Sequence, residues 1–587
     1  TMGFPLKSIP LTSLFEVLFQ SHKTNSNSFY FKDVIKIISH QFIRPLFFIE
    51  GVDYAALIIK TIDKNNLVYL NKERLFKMAK ACHSIIDLLF SNWENSILFA
   101  LENISNLILA IKGSLDADKS SNLLQLEYVF RFNELFNELS RLNEEHQHIH
   151  DISTLFSVYK ELLSTETLDF QGEPLQGLQI MGMLESRVLD FETVIIASVN
   201  EGVLPAGKSN NSFIPFDVKL ENNLPTFKEK DAVYTYHFYK LLQRAKNIYI
   251  TYNTEADVLT GGEKSRFITQ LELEGIHKIN SKIITPQVPR IEKELNSVKK
   301  NNDLQQKLVE LAKSGFSPSS LTNYIRNPID FYYQKILKIR EHNDVEETVA
   351  ANTLGTVVHN TLEDFYKPFI GQFLTSDGVK KLKLEIENRV TYHFKNEYKE
   401  GDITKGKNLI IYEIAKRYVN NFLDHEIKGL KAGDQIKIIA IEANNDIEIK
   451  IPKIAHPIRL KGKVDRVDEC NGVTRIIDYK TGKVEQNQVE IANWEDLTTD
   501  YKKYSKSFQV LTYAYMLNRY GTINLPIEAG IISFKNLKAG FLKFGLKEGR
   551  SKDALITNET LASFEIELKK LIIEICNPKI DFTEKEV

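Results

Sequence analysis

The residues best suited to chemistry lie in two short segments that the sequence predicts to be neighbouring strands. The first segment, 462–468, carries Asp465, and the second, 476–482, carries Asp478 and Lys480. Side chains alternate between the two faces of a strand, so Asp478 and Lys480 are expected on one face. Asp465 can join them from the adjacent strand, thirteen residues before Asp478. This arrangement is typical of a metal-dependent phosphodiesterase.

Phosphodiester hydrolysis needs a divalent cation that neutralises the developing charge and activates water. Mg²⁺ prefers oxygen ligands and takes one or two protein carboxylates, so Asp465 and Asp478 can bind it. The carboxylates favour the charged form of Lys480, which can orient water or stabilise the transition state. The alternative is an ordinary hairpin with an Asp–Lys pair on its outer face. The flanking helices favour the first interpretation.

Two predicted helices supply further polar side chains on either side of the strands. In segment 354–366, His359 and Glu363 lie one helical turn apart, and in segment 508–515 the same spacing separates Gln509 from Tyr513. Each pair is a weak signal alone, and their order around the two strands carries the argument. The first helix is amphipathic, with its apolar side formed by Val358, Leu362, Phe365 and Tyr366.

The series G-x-x-x-H-x-x-x-E, G-x-x-D-R-x-D, D-Y-K-T-G and Q-x-x-x-Y resembles the motifs of RecB-like nucleases in the PD-(D/E)XK superfamily. The resemblance implies a restriction-endonuclease-like α/β fold and gives each matching residue a role. It implies Mg²⁺ or Mn²⁺ bound by His359, Asp465, Asp478 and the backbone carbonyl of Tyr479, with Lys480 as the catalytic lysine, Gln509 and Tyr513 completing the catalytic set, and Glu363 in support.

Composition sets the wider frame. The 587 residues predict about four domains, and 43% hydrophobic with 26% charged residues is typical of a soluble globular protein. No apolar run reaches the roughly 18 residues of a membrane span. The net charge of −2 means that a nucleic-acid partner would need a local basic patch. The three cysteines imply a reducing compartment or nothing at all, and without a secretory signal a cytoplasmic location is expected. The start at Thr1 suggests a fragment or a processed chain.

The middle of the chain predicts a second α/β domain. Apolar runs at 194–199 and 247–252 indicate buried parallel strands, and a helix is predicted between them at 229–246. This alternation predicts a doubly wound fold and resembles the second motor domain of superfamily 1 helicases. Arg244 lies at the position of their arginine finger, but neighbouring motif residues differ, so it is interpreted as vestigial. The chain has no G-x-x-x-x-G-K-[ST] loop, so we expect no ATP hydrolysis by it alone.

The predicted domain limits combine these segments. Residues 1–24 and 171–282 form the helicase-like domain, 25–170 its helical insertion, 283–315 a linker and 316–587 the nuclease domain. The layout resembles AddB-type subunits of bacterial helicase-nucleases, which process double-strand DNA ends for recombinational repair. It implies an exonuclease acting on linear DNA, with one strand threaded to the nuclease and an AddA-type partner, and no membrane partner. The alternative is a non-catalytic DNA-binding scaffold that keeps both folds without activity.

Two local predictions follow from the nuclease half. AddB-type proteins carry a cysteine of an iron–sulfur cluster where this chain has Asn327, so no cluster is expected, and packing around Pro328, Phe331 and Tyr333 is expected to replace it. The linker pair at 299–300 is expected to be a solvated face.

A DNA-contact loop is predicted at 494–506, because aromatic rings there could stack on bases while lysines neutralise phosphate. A disordered surface loop is an equal alternative. The predicted DNA-contacting residues are Tyr501, Lys502, Lys503, Tyr504 and Lys506.

Overall fold

The computed structural model describes residues 4–23, 27–168, 183–205, 214–254, 263–285, 295–339, 345–548 and 551–586. They form two compact units, one of residues 10–160 with 292–587 and the other of residues 1–9 with 161–291. Residues 10–24 therefore cluster with the helical segment, although the predicted limits group them with 171–282. The domain limits stay predictions.

The secondary structure alternates long helical stretches with one extended sheet. In chain order the helices α1–α21 are Pro10–His22, Phe31–Ser39, Tyr54–Asn65, Lys72–Met78, His83–Phe90, Ile97–Leu115, Leu123–His146, Ile152–Thr165, Phe216–Glu221, Phe227–Leu242, Arg266–Glu274, Asn302–Ser314, Pro318–Arg326, Pro328–Phe331, Ala351–Tyr366, Ser376–Leu384, Ile386–Glu397, Gly406–Lys431, Asp496–Thr499, Tyr501–Tyr520 and Asn558–Cys576. The strands β1–β18 are Phe4–Pro5, Phe29–Tyr30, Phe48–Ile49, Val52–Asp53, Tyr69–Leu70, Thr167–Leu168, Thr193–Ile196, Asn247–Ile250, Ser297–Val298, Ile436–Ile449, Ile458–Cys470, Val473–Lys480, Glu490–Ile491, Glu528–Ser533, Phe541–Lys543, Gly545–Glu548, Ser551–Asp553 and Phe582–Thr583.

The helical segment, residues 10–160, has an aromatic core and polar contacts with the C-terminal half of the same unit. Phe19 packs edge-on against Trp93, with ring centroids 5.7 Å apart. After α3, the Asn66 side chain accepts a 2.7 Å hydrogen bond from the Glu346 N–H and donates to the Tyr398 carbonyl at 3.2 Å. The segment is therefore fastened to the chain that leads into α15.

One helical segment of the described residues, at Ile97–Asp118, is long and apolar enough to cross a membrane, by length and composition only. Part of its surface is buried in the helical segment, including Ile104 and Ile108. A single such helix is weak evidence for a membrane span, since the core helices of soluble proteins have the same length and composition.

The unit of residues 1–9 and 161–291 contains a parallel strand pair, β7 and β8, as predicted. The expectation that both strands are fully buried is wrong, because Ile195 and Tyr249 on their outer face are 71% and 57% exposed. Val194 faces the small apolar core with Phe238 of α10 and Phe267 of α11. The strands end at Ile196 and Ile250, before the predicted limits.

The C-terminal half is built on a five-stranded mixed sheet in the order β10–β11–β12–β14–β15. The pair β12–β14 is parallel, while the other neighbours are antiparallel. One face packs against α13, α20 and α21, and the other against α15, α17 and α18. Ile477 and Tyr479 point into the second face, as strand alternation predicts.

The predicted linker 283–315 is partly incorporated into this half, because β9 pairs with β18 near the C-terminus. The prediction that Lys300 lies on a solvated face is wrong, because it is only 5% exposed. Its Nζ donates to the carbonyls of Glu574, Ile575 and Asn577 at 3.3, 2.7 and 3.2 Å. These groups end α21, where a positive charge is favourable.

A polar and aromatic clasp surrounds Asn327. Its Oδ1 accepts a hydrogen bond from the Lys585 N–H at 3.2 Å, and Phe331 packs near Phe582 with ring centroids 6.0 Å apart. Tyr332 stacks on Phe582, and the predicted Tyr333 lies at the partly exposed edge of this packing, with its ring centroid 5.4 Å from that of Tyr332. Ring contacts and hydrogen bonds thus join the two ends of the C-terminal half.

Candidate active site

The two predicted aspartates lie where β11 and β12 separate. The strands pair from Cys470↔Val473 to Arg466↔Ile477, and Asp465 and Asp478 are the next residue on each strand. Asp465 Oδ2 accepts a 2.7 Å hydrogen bond from the Tyr479 N–H, so a carboxylate satisfies a backbone donor where the ladder ends.

Lys480 and Asp478 share a face of β12, as predicted. Their Nζ and Oδ2 atoms are 2.8 Å apart, with Asp478 4% exposed and Lys480 32% exposed. The carboxylate is therefore buried, whereas the ammonium group keeps access to solvent.

His359, on α15, lies beside the fork, the point after Arg466 and Ile477 at which β11 and β12 separate. This helix begins at Ala351 and places Val358 and Leu362 in the core, which leaves His359 at the edge of its buried side. Its Nδ1 lies 3.4 Å from Asp465 Oδ1, and its ring meets Tyr479 edge-on with centroids 6.0 Å apart.

Gln509 and Tyr513 approach from the other face of the sheet on α20. Gln509 Nε2 donates to Asp478 Oδ1 at 3.2 Å and to the Tyr513 hydroxyl at 2.9 Å. Gly462 permits this approach, because a Cβ at that position would lie 3.3 Å from the Tyr513 ring. Gln509 thus orients the buried Asp478 carboxylate.

Glu442 is a site residue that the sequence analysis missed. The pairs Ile441↔Arg466 and Ala443↔Val464 set it opposite Asp465, and its φ of 50° is unusual for a residue other than glycine. One ligand atom each of His359, Glu442 and Asp465 lie within 4.8 Å of one another. No motif spacing marks Glu442, since the irregular register of β10 brings it there.

Burial and charge act in opposite directions on the titratable groups. Burial raises the pKa of Asp478, against the lowering effect of Lys480. Burial would lower the pKa of Lys480, but the Asp478 charge raises it above the ordinary value. Burial likewise opposes the protonated form of His359, and its hydrogen bond with Asp465 raises the pKa nonetheless. Burial raises the pKa of Glu442. The site therefore favours a positive charge at its centre.

The donor set fits a divalent cation. Carboxylate oxygens and one imidazole nitrogen are ligands that Mg²⁺ and Mn²⁺ accept. Among the described residues, Glu442 and Asp465 bring two carboxylates to His359, and Asp478 lies beside them, paired with Lys480. The assignment of His359, Asp465, Asp478 and the Tyr479 carbonyl as ligands stays a prediction.

Glu363 lies outside the group formed by His359, Glu442 and Asp465, whose possible ligand atoms converge in the described part of the chain. Its carboxylate lies 2.7 Å from Lys367 Nζ and 3.8 Å from Lys463 Nζ, and Lys463 also pairs with Glu442 at 2.6 Å. Glu363 thus has an indirect connection to the site through Lys463.

The predicted DNA-contact loop at 494–506 is mainly helical, which corrects that expectation. Helix α20 already begins at Tyr501, and Asp500 caps it by accepting from the Lys503 N–H at 3.1 Å. Tyr504 is 5% exposed, so it cannot stack on a base, and the Lys503 Nζ lies 4.8 Å from its ring centroid.

Lys506 and Lys502 are better placed than the tyrosines. They lie one and two turns before Gln509 on the same helix face. Lys502 is exposed and Lys506 half-buried, and burial together with the nearby Lys480 charge lowers the pKa of Lys506. Lys506 has no ion pair among the residues the structure describes.

Arg244 lies in the other compact unit. Its guanidinium pairs with Asp190 at 2.7 Å, and both side chains are exposed. This surface ion pair does not test the vestigial helicase interpretation.

Comparison with known proteins supports the prediction of a nuclease domain in the C-terminal half. Residues 315–586 match the family model described as the PD-(D/E)XK nuclease superfamily. An uncharacterized protein of Rickettsia typhi is 22% identical over 77% of this chain and 51% of its own length. One of Rickettsia bellii is 23% identical over 52% of this chain and 35% of its own length. The chain thus spans about half or less of these relatives. Residues 315–586 are a PD-(D/E)XK nuclease superfamily domain.

Proposed function

We propose that this chain is a Mg²⁺- or Mn²⁺-dependent deoxyribonuclease, acting as an exonuclease on linear DNA. The observation that carries the proposal is the convergence of Asp465, Asp478, Lys480 and His359 at one strand fork. A scaffold that only binds DNA has no need for buried carboxylates, which repel phosphate.

The contacts of each side chain indicate its role in the proposed reaction. Asp465 and His359, with the newly found Glu442, offer ligand atoms to the cation, while Gln509 fixes the orientation of Asp478. A bound cation would supply the positive charge that neutralises the scissile phosphate in the transition state.

Lys480 is the group best placed to act on the phosphate itself. It stays protonated because Asp478 raises its pKa, and its partial exposure lets the ammonium reach a substrate. Preorganised charges and donors of this kind act where charge develops in the transition state, and removing a single oxyanion-hole donor costs about 2.7 to 4 kcal/mol.

The DNA strand is proposed to follow α20. Lys502 and Lys506 line the face that leads to Gln509 and Tyr513, so successive phosphates would meet two ammonium groups before the site. Of the other predicted contacts, Lys503 remains an exposed cation at the start of this helix.

The wider role proposed is that of an AddB-type subunit working with an AddA-type helicase-nuclease in the bacterial cytoplasm. The motif order in residues 354–513 and the helicase-like alternation in 171–282 support it. The motor would then belong to the partner or to a longer form of the protein, because this chain lacks a phosphate loop.

The test is cleavage of end-labelled single- and double-stranded linear DNA with Mg²⁺ or Mn²⁺. Asp478→Ala and Lys480→Ala are expected to abolish cutting. Asp377→Ala and Lys380→Ala are matched controls, because they disrupt a 2.7 Å acid–lysine pair on the exposed surface of α16 and should cut normally.

Two results would contradict the proposal. Cutting that survives both site variants would place the activity elsewhere. A wild-type chain that binds DNA without cutting it under either metal, alone or with a helicase partner, would favour the non-catalytic scaffold.

A further inference from the structure

A buried cluster of four charges lies behind the candidate active site. Arg466, Asp468 and Glu426 are 0%, 0% and 6% exposed. The Arg466 guanidinium bonds to Glu426 Oε1 at 2.6 Å and to Asp468 Oδ2 at 2.8 Å. Arg475 contacts both Asp468 oxygens, at 2.8 and 2.9 Å. Two guanidinium groups thus balance two carboxylates.

Such a cluster fixes geometry more than it adds stability. Removing four charges from water costs as much as their attraction returns unless each group is paired and hydrogen-bonded. Here the pairing is close to complete, so any shift of one element would leave a buried charge without its partner. The elements that contribute these groups are therefore held at fixed separations.

Those elements are the ones that carry the candidate site. Arg466 follows Asp465 on β11, and its guanidinium lies 3.5 Å from the hydroxyl of Tyr479 on β12. On α15, the Tyr366 ring lies 4.8 Å from the Arg466 guanidinium carbon, and its hydroxyl donates to Glu426. Tyr366 follows His359 by two helical turns.

We infer that Arg466 is a positioning residue, which sets the spacing of His359, Asp465 and the Tyr479 backbone from the face of the sheet that packs against α15 and α18. Its side chain is fully buried, so it is not placed to contact a substrate. Through Glu426 and Tyr366 it ties α15 to the fork of β11 and β12. The inference rests on the proposed metal-dependent function, since it concerns the geometry of the same ligands.

Tyr366→Phe is the primary test, because it removes one hydroxyl from the cluster and keeps the ring beneath Arg466. The matched control is Tyr324→Phe, which removes another buried hydroxyl that donates to a glutamate, Glu574, at 2.9 Å. That pair joins α13 to α21 on the other face of the sheet. Both variants should lose similar stability in thermal unfolding.

The readout is Mn²⁺ affinity of the full chain, measured by the electron paramagnetic resonance signal of free Mn²⁺. Changes in groups that orient metal ligands weaken binding about 10- to 100-fold. Tyr366→Phe should raise the Mn²⁺ dissociation constant about tenfold, whereas Tyr324→Phe should leave it within twofold of wild type. Arg466→Lys, which keeps the charge but cannot bridge Glu426 and Asp468, should weaken binding at least as much.

The outcomes separate this inference from the proposed function. Tyr366→Phe and Arg466→Lys chains that are less stable but bind Mn²⁺ like wild type would overturn the positioning role and leave the nuclease proposal standing. Equal weakening by Tyr324→Phe would also overturn it, because any loss of core stability would then suffice. A wild-type chain that binds no Mn²⁺ would overturn both.

Discussion

Replacement of Lys480 by methionine should destabilise the metal-free protein in a pH-dependent manner. The ammonium group is the ion-pair partner of Asp478, whose side chain is 4% exposed. Removing one partner of a buried pair costs about 3 to 5 kcal/mol. Because Lys480 is itself about a third exposed, we expect the lower value, about 3 kcal/mol at pH 8.

The sign of the pH dependence follows from Asp478. Burial already raises the pKa of this carboxyl above its ordinary value, and loss of the neighbouring ammonium group would raise it further. A raised folded-state pKa means that the folded protein binds a proton which the unfolded chain has released. Stability then falls as pH rises through that window, by at most about 1.4 kcal/mol per pH unit. Near pH 5 the free energy of unfolding of the variant should therefore be only about 1 kcal/mol below that of wild type.

Urea unfolding at pH 5 and pH 8 in EDTA would measure both values. The chain has two tryptophans, so a Trp93→Phe background leaves Trp494 as the reporter of the nuclease half. Lys380→Met is the control and should cost less than about 1 kcal/mol at either pH, since its ion pair with Asp377 is exposed. Equal losses for Lys480→Met at the two pH values would refute the reasoning.

Three further predictions concern other contacts. Lys300→Met should cost about 2 to 4 kcal/mol of stability in the same assay, because three carbonyls lose a charged donor. Burial lowers the pKa of Lys300 to about 8, whereas the unfolded lysine still binds a proton up to about pH 10. The wild type, but not the variant, should therefore gain stability from this group as pH rises from 8 towards 10. Asn66→Gly keeps the left-handed backbone (φ 53°) but removes the amide, so hydrogen exchange in residues 345–366 should accelerate while exchange elsewhere in the nuclease half stays unchanged. Lys506→Ala should weaken single-strand DNA binding and reduce the slope of log affinity against log salt by about 0.7, whereas Lys380→Ala should leave the slope unaltered.

Much of the local structure could be predicted from sequence because the relevant periodicities are local. Alternation on β12 placed Asp478 and Lys480 together and turned Tyr479 away. Helical spacing placed Gln509 beside Tyr513, and a hydrogen bond joins them. Both follow from backbone geometry over a few residues, so they require no knowledge of the rest of the chain.

Other predictions failed because burial depends on what packs from elsewhere. The aromatic and basic residues at 501–506 were interpreted as a loop, but they form the start of a helix whose Tyr504 faces the core. Lys300 was interpreted as solvated, yet the end of α21, more than 270 residues later, encloses its ammonium group. Neither environment is encoded in the neighbouring sequence.

The sequence by itself determined the order of the motifs, the faces of their strands and helices, and thus the chemistry that Asp465, Asp478 and Lys480 can perform. Only the tertiary structure decided that Glu442 lies opposite Asp465 and that Arg466 ties three site-bearing elements from behind. The physical reason is range: side-chain direction is fixed within a few residues, whereas a register irregularity and a buried charge cluster depend on contacts between distant segments.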